Sequence, residues 1–160
     1  MNNEEISDPL FREAVETIDA GNLPALRVLV ENNPWLLKDR LNYPPEGYFQ
    51  NPYLLWFIAD NPIRIDRLPP NIVDITEMLI DQVKKVAPES SELQLNYTLG
   101  LVATGRIPKE SGSQIALMDL LIDSGAKPGG GKGAIAHGNF EAANHLVERG
   151  GELSLTVAVG

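Results

Sequence analysis

Apolar residues recur along most of this chain at steps of three and four, and the runs are broken by Gly, Pro and Asn. That period predicts helices rather than strands. The first helix is expected to start at Asp8-Pro9, where Asp8 can cap and Pro9 loses no useful N–H at the first helical position. Leu10, Ala14, Val15 and Ile18 follow at helical spacing until Ala20-Gly21-Asn22. A second helix carries Leu26, Leu29 and Val30 and stops at Asn32-Asn33-Pro34, so the two form an antiparallel pair around a tight turn. Residues 35–52 hold Pro44, Pro45, Pro52 and several aromatics without a sustained period, and read as a long ordered loop. The run Leu54–Ala59 is apolar all round, as expected of a helix enclosed by neighbours.

After a loop over Asn61–Pro70, a long helix capped by Asn71 is expected, with Ile72, Ile75, Leu79, Val83 and Val86 in step and Pro88 as its stop. Leu93, Leu95, Leu99, Leu101, Val102 and Ala103 predict another helix ending at Gly105, followed by a loop over Ile107–Gly112. Ile115, Met118, Leu121 and Ile122 predict its partner, closed by Ser124-Gly125-Ala126. A short helix around Gly133–His137, a Gly138-Asn139 turn and a last helix through Phe140, Ala143, Leu146 and Val147 complete the pattern up to Gly150-Gly151. Strand-like alternation occurs only at Leu153, Leu155, Val157 and Val159, and this tail is equally consistent with the start of a further helix.

These elements repeat a frame. Gly21-Asn22-Leu23-Pro24-Ala25-Leu26-Arg27-Val28-Leu29-Val30-Glu31 and Gly138-Asn139-Phe140-Glu141-Ala142-Ala143-Asn144-His145-Leu146-Val147-Glu148 share a Gly-Asn turn, small and apolar helical positions and a polar or glycine stop. Leu120-Leu121-Ile122-Asp123-Ser124-Gly125-Ala126 carries the second half of the same frame. The pattern resembles the ankyrin repeat, in which a short helix, a Gly-His or Gly-Asn turn and a helix ending in Leu-Leu-x-x-Gly-Ala precede an extended finger loop. The family's Thr-Pro-Leu-His opening is absent from every unit, and the helix stops are irregularly spaced against the roughly 33 residues of that repeat.

The resemblance implies an all-α solenoid of about four stacked helical hairpins with long irregular loops. The chain then forms one domain over 1–160, with units at approximately 8–34, 52–87, 92–126 and 130–151 and an apolar tail, or the start of a further unit, over 152–160. Stacking buries apolar surface that one pair cannot hide alone and leaves loops and a concave face for recognition. The implied role is protein–protein interaction.

Charge narrows the partners. The net charge is −9, the 13 Lys and Arg are scattered, and the longest basic run is Lys84-Lys85. Nucleic acid and anionic membrane are therefore not expected as partners. The longest apolar run falls far short of the roughly 20 residues that span a bilayer. Met1–Glu5 lacks the layout of a signal peptide, and the absence of cysteine fits a cytoplasmic setting.

Candidate chemistry is sparse, and no catalytic, metal or cofactor residue is expected. Ala126–Gly133 resembles a phosphate-binding loop, but Ala126 stands where the first Gly belongs and Gly133 where the hydroxyl belongs. His137 and His145 have no cysteine or suitably spaced acid beside them, and read as surface or turn residues. Asp119 and Asp123 stand at i and i+4 and read as a solvated helix face.

Aromatics are the sharper clue. Seven of the ten lie between Trp35 and Phe57. Trp56 and Phe57 belong to the enclosed helix. Tyr43, Tyr48 and Phe49 in the loop are candidate partner-binding anchors, unless the loop folds back and its rings cover the first pair. Leu153, Leu155, Val157 and Val159 are a candidate self-association edge for a homodimer, since a terminal repeat normally carries a polar cap. Three roles follow in order: an interaction module, a regulatory or inhibitory subunit whose acidity suits a basic partner, and an enzyme acting on a small molecule. A deep pocket with convergent polar groups favours the last, and a broad groove with exposed Tyr43 or Tyr48 favours binding.

Overall fold

The computed structural model describes residues 2–129, 134 and 138–150. His137 and the edge residues Leu153, Leu155, Val157 and Val159 lie outside the described residues. All regular elements among the described residues are helical. They are α1 (Pro9–Asp19), α2 (Leu23–Asn32), α3 (Trp35–Lys38), a 3-10 helix (Leu54–Ala59), α4 (Ile72–Val86), α5 (Ser91–Thr104), α6 (Arg106–Glu110), α7 (Gln114–Asp123) and α8 (Phe140–Glu148), with a short 3-10 turn at Asn3–Glu5.

Local chemistry sets several boundaries. The Asp8 carboxylate accepts the N–H of Phe11 at 2.9 Å, and Pro9 opens α1. The α1 stop is a Schellman turn. Gly21 has φ +69°, its N–H donates to Ile18 O, and Asn22 N–H donates to Thr17 O. The α7 stop has the same form, with Gly125 at φ +121°, Gly125 N–H on Ile122 O and Ala126 N–H on Leu121 O. These two Gly-containing stops thus share one backbone geometry, which glycine adopts without steric cost.

Four expectations need correction. The segment after Pro34 is not loop from its start. It turns once as α3, which buries Leu36 and Leu37 and packs on α4. Ile107–Gly112 likewise begins within α6, whose Ile107 and Pro108 are buried. Single turns are too short to show a period and are held by packing. The enclosed run Leu54–Ala59 is buried at all six positions, as expected, but winds as a 3-10 helix. Asn71 precedes α4 without capping it through its side chain. Its Nδ2 instead donates to Gly21 O at 2.9 Å and ties the α4 start to the α1–α2 turn.

The helices meet in an ordered way. α1 packs on α2, the 3-10 helix on α4, and α5 on α7. Between these pairs, α1 meets the 3-10 helix and the 3-10 helix meets α5, while α2 meets α4, α4 meets α7 and α7 meets α8. One continuous apolar core results, running from Ile6 and Phe11 through Phe57 and Leu79 to Leu121 and Leu146. Two buried glutamines cross between elements. Gln94 Nε2 donates to Leu37 O at 3.1 Å, and Gln114 Nε2 donates to Val102 O at 3.1 Å.

Candidate interaction cleft

One face of α5 is left uncovered by the helices around it. Asn96, Tyr97, Gly100, Leu101 and Thr104 share that face at helical spacing and floor a cleft of about 700 Å³. Tyr48 and the segment Asp60–Ile63 form its wall, and Arg106 stands at one end. A volume of this size falls within the range of ligand-binding clefts.

Specific bonds hold the wall. Asn61 Nδ2 donates to Leu101 O at 2.9 Å and to Thr104 Oγ1 at 3.3 Å, while Tyr48 Oη donates to Asn61 Oδ1 at 2.7 Å. Tyr97 Oη donates to Tyr48 O. The Tyr97 ring stacks on Trp56 at 4.1 Å, and Trp56 packs edge-on against Tyr53. Asp60, in the left-handed region at φ 47°, is buried and accepts the N–H groups of Arg64, Ile65 and Asp66, which turns the loop after the 3-10 helix.

Both phenols are pushed above the ordinary tyrosine range. Burial is the main cause in each case. The neighbouring Tyr97 adds to the effect at Tyr48, while Arg40 opposes it at Tyr97. Both therefore stay protonated near neutral pH and act as donors. Asp60 is committed to three backbone N–H groups, and the remaining lining is phenol, amide, hydroxyl, guanidinium and hydrocarbon. Such a lining offers contact area and hydrogen bonds rather than an acid/base pair.

The loop aromatics separate. Tyr48 is 57% exposed and lines the cleft, and Tyr43 is 41% exposed on the neighbouring surface. Phe49 is 4% exposed, with ring centroids 5.0 Å from Phe57 and 6.2 Å from Trp56. It covers the core, so it is corrected from a surface anchor to a packing residue. Sequence reading missed Ile63, Tyr97 and Gly100. Tyr97 and Gly100 did carry a signal, because the polar and small positions 96, 97, 100 and 104 fall on one helical face.

The other sequence candidates form a separate cluster between α7 and α8. Asp119 and Asp123 are not simply a solvated face, because Arg149 reaches both. His145 Nε2 lies 2.7 Å from Asp119 Oδ1, so this histidine joins an ion-pair cluster. No group of three or more His, Asp or Glu among the described residues is placed to hold a metal. Lys127, from the glycine-rich segment, pairs with Glu92 at 2.7 Å. No helix among the described residues is long and apolar enough to cross a membrane.

The Asp119 carboxyl is held below its ordinary range chiefly by the His145 hydrogen bond; partial burial opposes this, and Arg149 adds to the lowering. A depressed folded-state pKa gives stability that is complete above the unfolded value of about 3.9 and is lost as pH falls through the folded one. Acid is therefore expected to loosen α8 from α7, read as faster amide exchange in α8 below pH about 4. Asp119→Asn should remove that acid-dependent step. An unchanged acid profile in this variant would show that the cluster does not hold α8.

Comparisons with family models, with curated proteins and with solved structures find no match to this chain.

Proposed function

We propose that this chain is a protein-interaction module, a divergent ankyrin-like solenoid of about four helical pairs that binds its partner through the cleft beside Tyr48. The observation that carries the reading is a pinned, open cleft presenting the exposed side chains of Tyr48 and Ile63. Tyrosine is among the residues enriched at the centre of protein interfaces, where the core of the contact is apolar. The contact order of the helices supports the solenoid. First helices neighbour first helices, second helices neighbour second helices, and two helix stops share one Schellman geometry. The 3-10 helix in the second unit and the one-turn helices α3 and α6 are departures from a regular array.

Affinity capture from the native host followed by mass spectrometry tests this reading. Tyr48→Ala combined with Ile63→Ala is expected to abolish capture while the far-UV circular dichroism stays unchanged, since both residues are exposed and lie outside the helices. Capture that survives the double change removes the cleft as the binding surface.

A regulatory or inhibitory subunit acting on a basic partner is the second reading. It draws on the net charge of −9 and on the exposed carboxylates of Asp74, Glu77 and Asp81 along α4. Such binding is steered by charge and weakens steeply with salt, whereas apolar cleft binding does not.

A further inference from the structure

Gly100 lies well inside α5, where glycine weakens a helix relative to alanine. A Cβ placed there would meet nothing within 4 Å, so no neighbour in the fold requires its absence. Its backbone lies bare on the cleft floor. Bare helix backbone allows the close approach of atoms from another molecule. Beside Gly100, Asn96 Oδ1 accepts the N–H of Lys127 at 2.8 Å, and its Nδ2 donors have no partner among the described residues.

The cleft does not end at Tyr48. Tyr48 and Pro62 also line a second hollow of about 320 Å³. This hollow is chemically different. Glu5, Glu46 and Tyr43 line it, and among the described residues no Lys or Arg does. Both carboxylates belong to exposed residues, and among the described residues neither has a cationic partner within ion-pair distance. With the whole chain at −9, the field at this hollow favours a cation. Tyr48 lines both hollows, and aromatic rings attract ammonium and guanidinium groups.

We propose that cleft and hollow together bind one extended peptide segment of a partner protein. Its large apolar side chain lies over Gly100 between Tyr48 and Ile63, and its Lys or Arg crosses Tyr48 to reach Glu5 and Glu46. This rests on the protein-interaction reading above and adds the chemistry of the partner. An extended segment suits two hollows that share Tyr48 and Pro62 as lining, because side chains on one face of a strand recur about every 7 Å. Apolar contact sets the affinity and the cation sets orientation and register.

Panning the full chain against a phage-displayed library of random peptides tests the inference, with enriched sequences synthesised and measured by fluorescence anisotropy. Enriched peptides should pair one aromatic or aliphatic residue with a Lys or Arg a few positions away. Gly100→Leu should weaken their binding at least about tenfold, since the added side chain fills the floor and enters open space in the free protein. Glu5→Gln with Glu46→Gln should weaken it about fivefold at low ionic strength, with the loss shrinking as salt is added. Enriched apolar peptides that bind through Tyr48 without any preference for a basic residue overturn the inference and leave the interaction reading standing. Peptides that ignore both Tyr48→Ala and Gly100→Leu, or a library that yields no binder, overturn both. Self-association seen by light scattering and lost in Gly100→Leu assigns the cleft to a second copy of the chain, and overturns the peptide.

Discussion

Arg64→Ala is expected to cost about 3–5 kcal/mol of folding stability, the scale seen when one partner of a buried charge pair is removed. The Arg64 side chain is 3% exposed, and the carboxylates beside it belong to Asp19, at 11%, and Asp60, at 0%. Its Nη1 lies 2.7 and 3.0 Å from the two Asp19 oxygens, and its Nη2 donates to Phe57 O at 2.9 Å. Asn3 Oδ1 also accepts from Nη1, at 3.2 Å. One guanidinium therefore joins the N-terminal turn, the end of α1, the 3-10 helix and the loop that forms the cleft wall. Truncation leaves Asp19 in a nearly dry site with the Asn3 amide as its remaining side-chain donor. Arg64→Lys should recover little, because one ammonium cannot reproduce the planar fork that serves Asp19 and Phe57 O together. Urea unfolding followed by tryptophan fluorescence measures the loss. A change below about 1 kcal/mol would mean that water reaches the pair and screens it.

Phe57→Ala should be nearly as severe, at about 3–5 kcal/mol for a buried phenylalanine. Phe57 is 1% exposed. Its ring lies 5.7 Å from Phe11 of α1 and 5.0 Å from Phe49 of the loop, with the Arg64 guanidinium 5.1 Å from its centroid. Helix α1 and the segments on either side of the 3-10 helix meet on this ring, so collapse around the cavity would require all three to move. For a chain of this length a loss of that size lowers Tm by roughly 10 °C, readable by calorimetry. Because Arg64 rests on the same ring, the double variant should lose less than the sum of the single losses. A shift of less than a few degrees would mean that the loop carrying Phe49 refills the space.

The same residues show what could be read in advance. The five longer helices α1, α2, α4, α5 and α7 each repeat apolar residues over several turns, and a period of 3.6 sustained that long has few other interpretations. The detail within them was less secure. Ala14, Val15 and Ile18 of the expected α1 face are buried, but Leu10 is only partly so, and Phe11 joins the core beside them, where its ring meets Phe57. Asn71 had the composition of a cap, yet its amide is taken by the carbonyl of Gly21, which lies 50 positions away. The loop aromatics show the limit most plainly. Tyr48 and Phe49 are adjacent and chemically alike in size, and no local rule separates their fates.

By itself, then, the sequence determined a helical chain, its main helix boundaries and its Gly-marked stops. Those properties depend on periodicity, capping and backbone freedom within a few residues. Tertiary structure alone decided that Phe49 is core while Tyr48 lines a cleft, that Arg64 is buried between Asp19 and Asp60, and that Gly100 lies bare on the floor. Each of these depends on which distant surfaces meet. Burial and charge pairing are set by neighbours in space, and neighbours many residues away leave no period in the sequence.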